Sequence, residues 1–250
     1  MTHRPRLGRV AIVVSVLVLA LSAGPVAAAK PPGVGGGGGG GGGKPGYPDR
    51  ITWAGQTWEV KTSTSAVGPG PNVFSRENVR VEDGDLIMEI AQRDGRWTTA
   101  EVIGPHLGYG TYRFTVESDV SDLDPNVVLG LFTWSDRARF NHREIDIEVA
   151  RWGNAADPTN AQFVVQPWDT PGKLQRYTVT EVGPTVHSFT WRSNRVDFSS
   201  AGAAWSYAGS GIPPSQDERI RINLWLFEGR APSDGQPVTI RFSDFVFVPA

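Results

Sequence analysis

Beyond residue 48, hydrophobic and polar residues alternate in short runs that are separated by clusters of turn-forming residues. In the segment 111–117, for example, Tyr112, Phe114 and Val116 alternate with threonine and arginine. A period of two is the pattern of a β-strand with one buried face, and no apolar stripe of period 3.6 extends over a helical length. The sequence therefore predicts antiparallel β-structure throughout this region.

Many such segments follow one another along the chain. The clearest strand predictions are 86–91, 111–117, 127–134, 144–150, 161–166, 187–191, 220–226 and 238–248. Each strand must bury one apolar face against another layer, so this many strands require two packed sheets. In the last segment, apolar residues occupy one face as far as Phe242 and the other face from Phe245 onward, which predicts a bulge or bend near Ser243.

Composition agrees with one β-rich domain. Hydrophobic residues make up 39% of the 250 residues, which excludes disorder for most of the chain, while 30 glycines and 19 prolines supply turns. The net charge is −2 and there is no run of five or more lysines and arginines, so nucleic acid is not an expected partner. There is no cysteine, which excludes disulfides and a thiolate nucleophile.

The segment 1–29 has the pattern of a secretory signal peptide. Arg4, Arg6 and Arg9 precede the apolar stretch 10–21, and alanines end the segment. A membrane anchor is the alternative, but the apolar stretch is shorter than the ~18 residues that cross a bilayer. We therefore expect a secreted protein, monomeric and without a membrane partner after cleavage.

Residues 30–47 contain an unbroken run of glycines from 35 to 43, flanked by prolines. Such a segment buries too little apolar surface to order itself, so it is predicted to be a flexible linker. The folded domain is then predicted to be 48–250.

One predicted strand carries a row of three carboxyl groups. Alternation from 144 to 149 sends Glu144, Asp146 and Glu148 to one face and isoleucine and valine to the other. The plainest interpretation is the solvated face of an edge strand. Against it, like charges on one face repel, and no lysine or arginine lies between them on that face.

The spacing of the row suits catalysis. Residues four apart in a strand have Cα atoms ~13 Å apart. Two glutamates that lean together can bring their carboxyl groups to roughly 5 to 6 Å, the separation used by retaining glycosidases. Asp146 would couple the titration of Glu144 and Glu148, so that one is charged while the other is neutral.

The segment Glu144-Ile145-Asp146-Ile147-Glu148 resembles the E-I-D-x-E signature of glycoside hydrolase family 16. The resemblance covers about 53–248. It includes these further segments in family order: Thr99-Ala100-Glu101, 108–112, 129–132, Gln162-Phe163, 187–191 and Asn223-Leu224-Trp225.

The resemblance implies an all-β, concanavalin A-like β-jelly-roll sandwich of two antiparallel sheets with a concave substrate cleft. It also implies a polysaccharide substrate cleaved with retention. Glu144 matches the nucleophile, Glu148 the acid/base and Asp146 the assisting carboxylate. The uninserted signature is similar to that of licheninases and xyloglucan transferases.

The chain also departs from the licheninase pattern. His142-Arg143 replace Trp-Asp before the nucleophile, Ile103 replaces an arginine, and 163–166 read Phe-Val-Val-Gln instead of F-N-Y-Y. These changes lie near the expected cleavage point, so they leave the identity of the polysaccharide open.

Further residues are candidates for binding sugar. Trp134, Trp168 and Trp225 are possible stacking platforms, with a place in the core as the alternative for each. Glu101 and Gln162 match family positions near the cleft and are expected to hydrogen-bond sugar hydroxyls, unless they are ordinary exposed residues. His142 precedes Glu144 by two residues and is therefore expected on the same face, either at the rim of the cleft or on the surface.

No cofactor is expected for catalysis, because the histidines show no zinc-binding spacing. Some relatives bind a structural calcium ion through backbone oxygens and a C-terminal aspartate. Gly84 and Asp244 stand at similar positions, but calcium takes six or more oxygen ligands.

The leading hypothesis is a secreted endo-acting hydrolase of a β-glucan. One alternative on the same fold is a transglycosylase, which passes the glycosyl group to another sugar. Another is a carbohydrate-binding module without turnover, suggested by the altered contacts around the centre. A structural envelope protein with an acidic face is a fourth interpretation.

Overall fold

The computed structural model describes residues 47–137, 139 and 143–250. The predicted signal peptide (1–29), the linker (30–47) except Tyr47, and His142 lie outside the described residues. The described chain is almost entirely β-structure, with short 3₁₀ turns at Arg76–Asn78 and Phe227–Gly229. None of its helical segments, within those ranges, has the length and apolar character that crossing a membrane requires.

Two antiparallel sheets form the domain. Sheet I contains β1 (Arg50–Trp53), β2 (Gln56–Val60), β6 (Ala100–Ile103), β8 (Val127–Trp134), β9 (Ile145–Ala150), β10 (Ala161–Val165), β11 (Leu174–Tyr177) and β15 (Arg219–Leu226). Sheet II contains β3 (Val79–Glu82), β4 (Asp85–Arg93), β5 (Arg96–Thr98), β7 (Gly110–Val116), β12 (Thr185–Arg192), β13 (Arg195–Ser200), β14 (Ala203–Tyr207) and β16 (Val238–Pro249).

The strand order differs from the chain order in both sheets. Sheet I runs β1-β2-β6-β15-β8-β9-β10-β11, and sheet II runs β14-β13-β12-β7-β16-β4-β3, with β5 beside β4. Strands from distant parts of the sequence therefore become neighbours. In particular, β9 lies between β8 and β10, and β15 joins β8 to β6.

The strand predictions are confirmed, with small differences at the ends. The segment 127–134 coincides with β8, whereas β9 begins at Ile145 rather than at Glu144. The predicted irregularity near Ser243 is present, because the pairing of β16 with β7 shifts register between Phe242 and Asp244. The bulge lets the long strand present apolar residues to the core on both sides of the shift.

The inner faces of the two sheets enclose the core. Ile145, Ile147 and Val149 of β9 belong to it and are at most 1% exposed. Stacked and edge-on aromatic rings fill the space between the sheets, such as Phe163 of sheet I on Phe198 of sheet II at 5.1 Å. Because β9 turns its aliphatic side chains inward, Asp146 and Glu148 are directed to the opposite face of sheet I, and alternation places Glu144, just before the strand, on that face too.

Candidate active site

The outer face of sheet I carries the acidic row of Glu144, Asp146 and Glu148. Asp146 is 2% exposed, while Glu144 and Glu148 are partly buried. The row is therefore not the solvated face of an edge strand, since β9 is an inner strand and its polar face is covered. Three carboxyl groups gathered in partial burial cost free energy of folding, which points to function.

Strand register places a distinct neighbour beside each member of the row. Glu148 lies between Gly130 of β8 and Gln162 of β10. Glu144, one residue before β9, accepts a hydrogen bond at its backbone oxygen from the N–H of Gln166, at 3.0 Å. Glu148 is thus held on both sides by strand pairing, and Glu144 is held by a backbone hydrogen bond from the residue that follows β10.

Burial raises the pKa of all three carboxyl groups. The pKa of Glu144 rises to about 8 and that of Glu148 to about 7, and the pKa of Asp146 lies well above its ordinary value. Repulsion within the row adds to burial at Glu144 and Asp146. The row consequently retains protons near neutral pH, as an acid that must protonate a leaving group requires.

Hydrogen bonds within the site oppose these upward shifts at all three positions, with Gln166 as the donor that lowers the pKa of Asp146. Asp146 shares a hydrogen bond with Glu144, which lowers the pKa of Glu144 and raises that of Asp146. Gln162 Nε2 donates to Glu148 Oε2 at 2.7 Å and lowers the pKa of Glu148. An anion on either glutamate therefore has a donor beside it.

Glu101 and Gln162, both predicted to contact sugar, lie on this face but are largely covered. Glu101 is 1% exposed, and its two oxygens accept hydrogen bonds from Lys61 Nζ at 2.7 Å and Arg221 Nη1 at 2.9 Å. Gln162 is 7% exposed and is bonded to Glu148. Both side chains are committed to protein partners in this structure.

The predicted tryptophans separate into different environments. Trp134, at the end of β8, is partly buried. It is on the polar face, because Phe132, two residues earlier on the same face, lies opposite Asp146. Trp225 is 7% exposed and is outside the core cluster, in edge contact with Trp152 at 6.1 Å. Trp168 is 39% exposed, in the loop after β10.

Sequence reasoning missed several residues of the site. Arg221 of β15 lies opposite Ile103 of β6. The licheninase pattern has an arginine at the position of Ile103, so in this chain a guanidinium group enters from the neighbouring strand instead. Strict alternation along β15 could have identified it, since it shares a face with Asn223. Trp152 gave no such signal, because it follows the end of β9 in a turn with φ +53°.

Arg176 of β11 was also missed. It donates to Asp157 Oδ2 at 3.0 Å and to Gln162 Oε1 at 3.4 Å, and its charge lowers the pKa of Glu148. No local pattern in the sequence marks this residue. Only the pairing of β11 with β10 places it near the row.

The residues predicted for calcium lie in sheet II. Gly84 occupies the turn between β3 and β4, and Asp244 follows the register shift in β16. Asp85, the carboxylate next to Gly84, is already paired with Arg241. Across the ranges that the structure describes, no group of three or more histidine and acidic side chains is placed to hold a metal ion. The predicted site would use backbone oxygens as well as Asp244, so Gly84 and Asp244 remain a prediction.

Comparisons with known proteins bear on the fold. No protein-family model matches the chain, and no curated protein sequence matches it. Solved structures do match. A β-glucanase from Bacillus licheniformis is similar with a TM-score of 0.63 and 17% identity, over 82% of this chain and 97% of that one.

Two further structures give the same result. Laminarinase from Flavobacterium sp. UMI-01 has a TM-score of 0.62 and 14% identity, covering 77% of this chain and 93% of its own. A Bacteroides ovatus glycoside hydrolase family 16 protein from a mixed-linkage glucan utilisation locus, in complex with a G4G4G3G product, has the same score and identity over 76% and 94%. The domain therefore has the β-jelly-roll fold of glycoside hydrolase family 16 structures.

Proposed function

We propose that this protein is a retaining endo-glycosidase that hydrolyses a β-glucan. The observation that carries the proposal is the partly buried row of Glu144, Asp146 and Glu148, whose carboxyl groups retain protons near neutral pH. The similar structures support the substrate class, since they include a β-glucanase, a laminarinase and a protein from a mixed-linkage glucan utilisation locus. Secretion, as the N-terminal pattern predicts, would bring the enzyme to such a polymer.

The reaction requires two displacements at one anomeric carbon. In the first, a carboxylate oxygen of Glu144 bonds to that carbon, the glycosidic C–O bond breaks, and the proton of Glu148 passes to the leaving oxygen. In the second, Glu148 takes a proton from water, the water oxygen bonds to the carbon, and the bond to Glu144 breaks. Asp146 keeps its proton and donates a hydrogen bond to Glu144.

The assignment of these two roles follows the family signature. The pKa values alone would favour the reverse assignment, because burial raises the pKa of Glu144 to about 8 and that of Glu148 only to about 7. Azide tests it directly. With an activated substrate, Glu144→Ala should give the α-glycosyl azide and Glu148→Ala the β-glycosyl azide. If the two variants give the opposite products, Glu148 is the nucleophile and Glu144 is the acid/base.

Substrate contacts are proposed on the same face. Trp225 and Trp152 supply an apolar surface beyond Glu148, and Trp134 supplies one beside Glu144. Trp152 is a bulky residue in the left-handed region, where backbone strain is often associated with a binding role. Replacing Trp152 by leucine is therefore expected to raise KM more than it lowers kcat.

A polymer panel tests the function. Purified protein is incubated with mixed-linkage β-glucan, laminarin, xyloglucan, agar and chitin-linked glucans, and new reducing ends are measured. Glu144→Gln and Glu148→Gln should abolish the signal, whereas Glu181→Gln, which changes an exposed acid away from the row, should not. Silence of the wild-type protein on every polymer would overturn the proposal.

Two readouts refine the result. Proton NMR during hydrolysis should show the β-anomer of the product first if configuration is retained. An added acceptor oligosaccharide separates hydrolysis from transfer, since only a transglycosylase yields longer chains. Retention on a polysaccharide affinity gel without turnover would instead support a binding module.

A further inference from the structure

Gln166, one residue after β10, is held in place by four hydrogen bonds. Its backbone N–H donates to Glu144 O at 3.0 Å, and its carbonyl accepts from Lys173 Nζ at 2.9 Å. Its side-chain Oε1 accepts from the N–H of Trp168 at 2.9 Å, and its Nε2 donates to Asp146 Oδ2 at 3.1 Å. Neither its backbone nor its side chain is free to turn.

These contacts determine which way the amide of Gln166 points. A backbone N–H can only donate, so the atom that faces Trp168 must be the amide oxygen. The NH₂ group is then the one that faces Asp146, and the alternative with oxygen and nitrogen exchanged would set two donors against each other. The polarity of the contact with Asp146 therefore follows from the backbone and does not depend on a choice of amide rotamer.

An NH₂ group directed at Asp146 Oδ2 requires that oxygen to accept. We propose that Gln166 confines the proton of neutral Asp146 to Oδ1, from which it is donated to Glu144. Asp146 also shares a hydrogen bond with Glu144. Gln166 is in this sense a positioning residue for the proton, acting on Glu144 through Asp146.

Gln162 makes a similar arrangement four residues earlier, on β10. Arg176, which can only donate, faces Gln162 Oε1, so Gln162 Nε2 must face Glu148. The two glutamines are four residues apart, as the two glutamates are. Each directs a donor at one carboxyl group of the row.

The catalytic consequence rests on the proposed function. Negative charge must lie on Glu144 before the first displacement and returns to it when the glycosyl-enzyme bond breaks. A proton fixed on Asp146 Oδ1 stabilises that charge at both moments. The charged groups that act on the row from other strands of sheet I are Arg221 of β15, Glu101 of β6 and Arg176 of β11.

Two variants test the proton's position. Gln166→Leu removes the donor, so the proton can occupy either oxygen of Asp146. Glu144 then receives the hydrogen bond from Asp146 for only part of the time. Gln166→Glu is the conservative variant, since a neutral glutamic acid can accept from Trp168 and donate to Asp146. Once ionised, it accepts from Asp146 and draws the proton away from Glu144. Gln175→Leu, an exposed change on β11, is the matched control.

The first readout needs no substrate. Side-chain carboxyl ¹³C signals of Asp146 and Glu144, assigned with Asp146→Asn and Glu144→Gln, are titrated in each protein. In Gln166→Leu the midpoint of Glu144 should move up by at least about 0.5 pH unit, and in Gln175→Leu it should not move. An unchanged Glu144 midpoint in folded Gln166→Leu would overturn the inference, whatever the polymer panel shows.

The second readout is the pH profile of kcat/KM. A higher Glu144 midpoint leaves less of the form with charged Glu144 and neutral Glu148, so the maximum of kcat/KM in Gln166→Leu should fall about two- to threefold. Gln166→Glu should follow the wild type at low pH and fall about 10-fold or more below it as residue 166 ionises. If Gln166→Leu does not fold, the titration of Gln166→Glu decides: a Glu144 midpoint independent of the ionisation of residue 166 would contradict the proposal.

Discussion

At the scale of single residues, the acidic row shows what burial does to a carboxyl group. Glu148 accepts a hydrogen bond from Gln162 and lies near the charge of Arg176, yet burial still raises its pKa to about 7. The loss of hydration therefore outweighs both favourable contacts. The same imbalance makes the row a cost to folding above the ordinary pKa of a carboxyl group.

Glu148→Gln should stabilise the protein while it abolishes activity. The folded-state pKa is raised above the ordinary 4.5, so the stability that neutral Glu148 allows is present below that value and is lost as the pH rises through about 7. We expect the free energy of unfolding to increase by about 1–2 kcal/mol at pH 8 and little at pH 4.

Urea denaturation of both proteins at the two pH values measures this difference. Glu181→Gln, at an exposed position, serves as the control. Equal midpoints for wild type and Glu148→Gln at pH 8 would contradict the burial of the charge.

Gly130 is required because of a close contact with Asn223. A Cβ atom on residue 130 would lie 2.4 Å from Asn223 Oδ1, and Asn223 is 4% exposed. Gly130→Ala should therefore lower the free energy of unfolding by about 1–3 kcal/mol, because the amide must move.

The double variant with Asn223→Ala provides the control, since it removes the obstructing side chain. The cost of Gly130→Ala should then shrink by about 1 kcal/mol in a thermodynamic cycle. A cost that is the same in both backgrounds would point to another cause.

At the scale of elements, a buried polar chain links the two sheets. Tyr177 of β11 donates to Ser200 Oγ of β13 at 2.7 Å, and Ser200 also bonds His187 Nδ1 of β12 at 2.7 Å. Thr185 Oγ1 completes the chain at His187 Nε2, at 2.9 Å. The edge of sheet I beside the active site is therefore fixed to sheet II by directional contacts as well as by aromatic packing.

Because His187 is buried in this chain of hydrogen bonds, the folded protein is expected to lose stability in acid. Burial lowers the pKa of His187 to about 4, so the histidine takes up a proton on unfolding wherever the pH lies between about 4 and its ordinary 6.5. Stability from His187 is full above 6.5 and falls by roughly 2–3 kcal/mol as the pH drops through this window.

His187→Gln should flatten the dependence of unfolding free energy on pH between 7 and 4, as followed by urea denaturation. Exposed His106 provides the control as His106→Gln. The carboxyl row acts in the opposite direction, so the difference between variant and wild type is the informative quantity. Parallel curves would show that His187 is not buried as a neutral group.

At the scale of the whole molecule, the proposed active site is assembled from several strands of one sheet. Asp146 and Glu148 lie on β9 and Glu144 directly precedes it, but the groups that set their ionisation come from β6, β10, β11 and β15 and from the residue after β10. The pKa values that matter for the rate belong to this assembly and not to one residue.

The profile of kcat/KM against pH should therefore be bell-shaped, with its acid limb sensitive to Gln162. The reactive form carries the charge on Glu144 and the proton on Glu148, and the pKa of Glu148, at about 7, lies below that of Glu144, at about 8, so the acid limb follows Glu148. Gln162→Leu removes the donor that lowers the pKa of Glu148, so this limb should move up by about 0.5 pH unit. Initial rates on a soluble β-glucan measure the shift, with Gln175→Leu as the control. If the limb stays in place, the ionisation of Glu148 does not set it.

Alternation along the chain was sufficient to predict β-strands, two packed sheets, the bulge near Ser243 and the common face of Glu144, Asp146 and Glu148. These properties are local, because the side-chain direction in a strand depends only on the parity of the residue number. The same rule limited what could be predicted, since it does not say which strand lies beside which.

Only the tertiary structure decided the partners and the burial of those residues. Arg221 reaches Glu101 because β15 pairs with β6, and Gln166 reaches Asp146 because β10 pairs with β9. These contacts join residues that are far apart in sequence, and ionisation depends on distance and hydration in the folded chain. The sequence by itself thus determined which residues could form a catalytic row, and the packing of the strands determined how that row holds its protons.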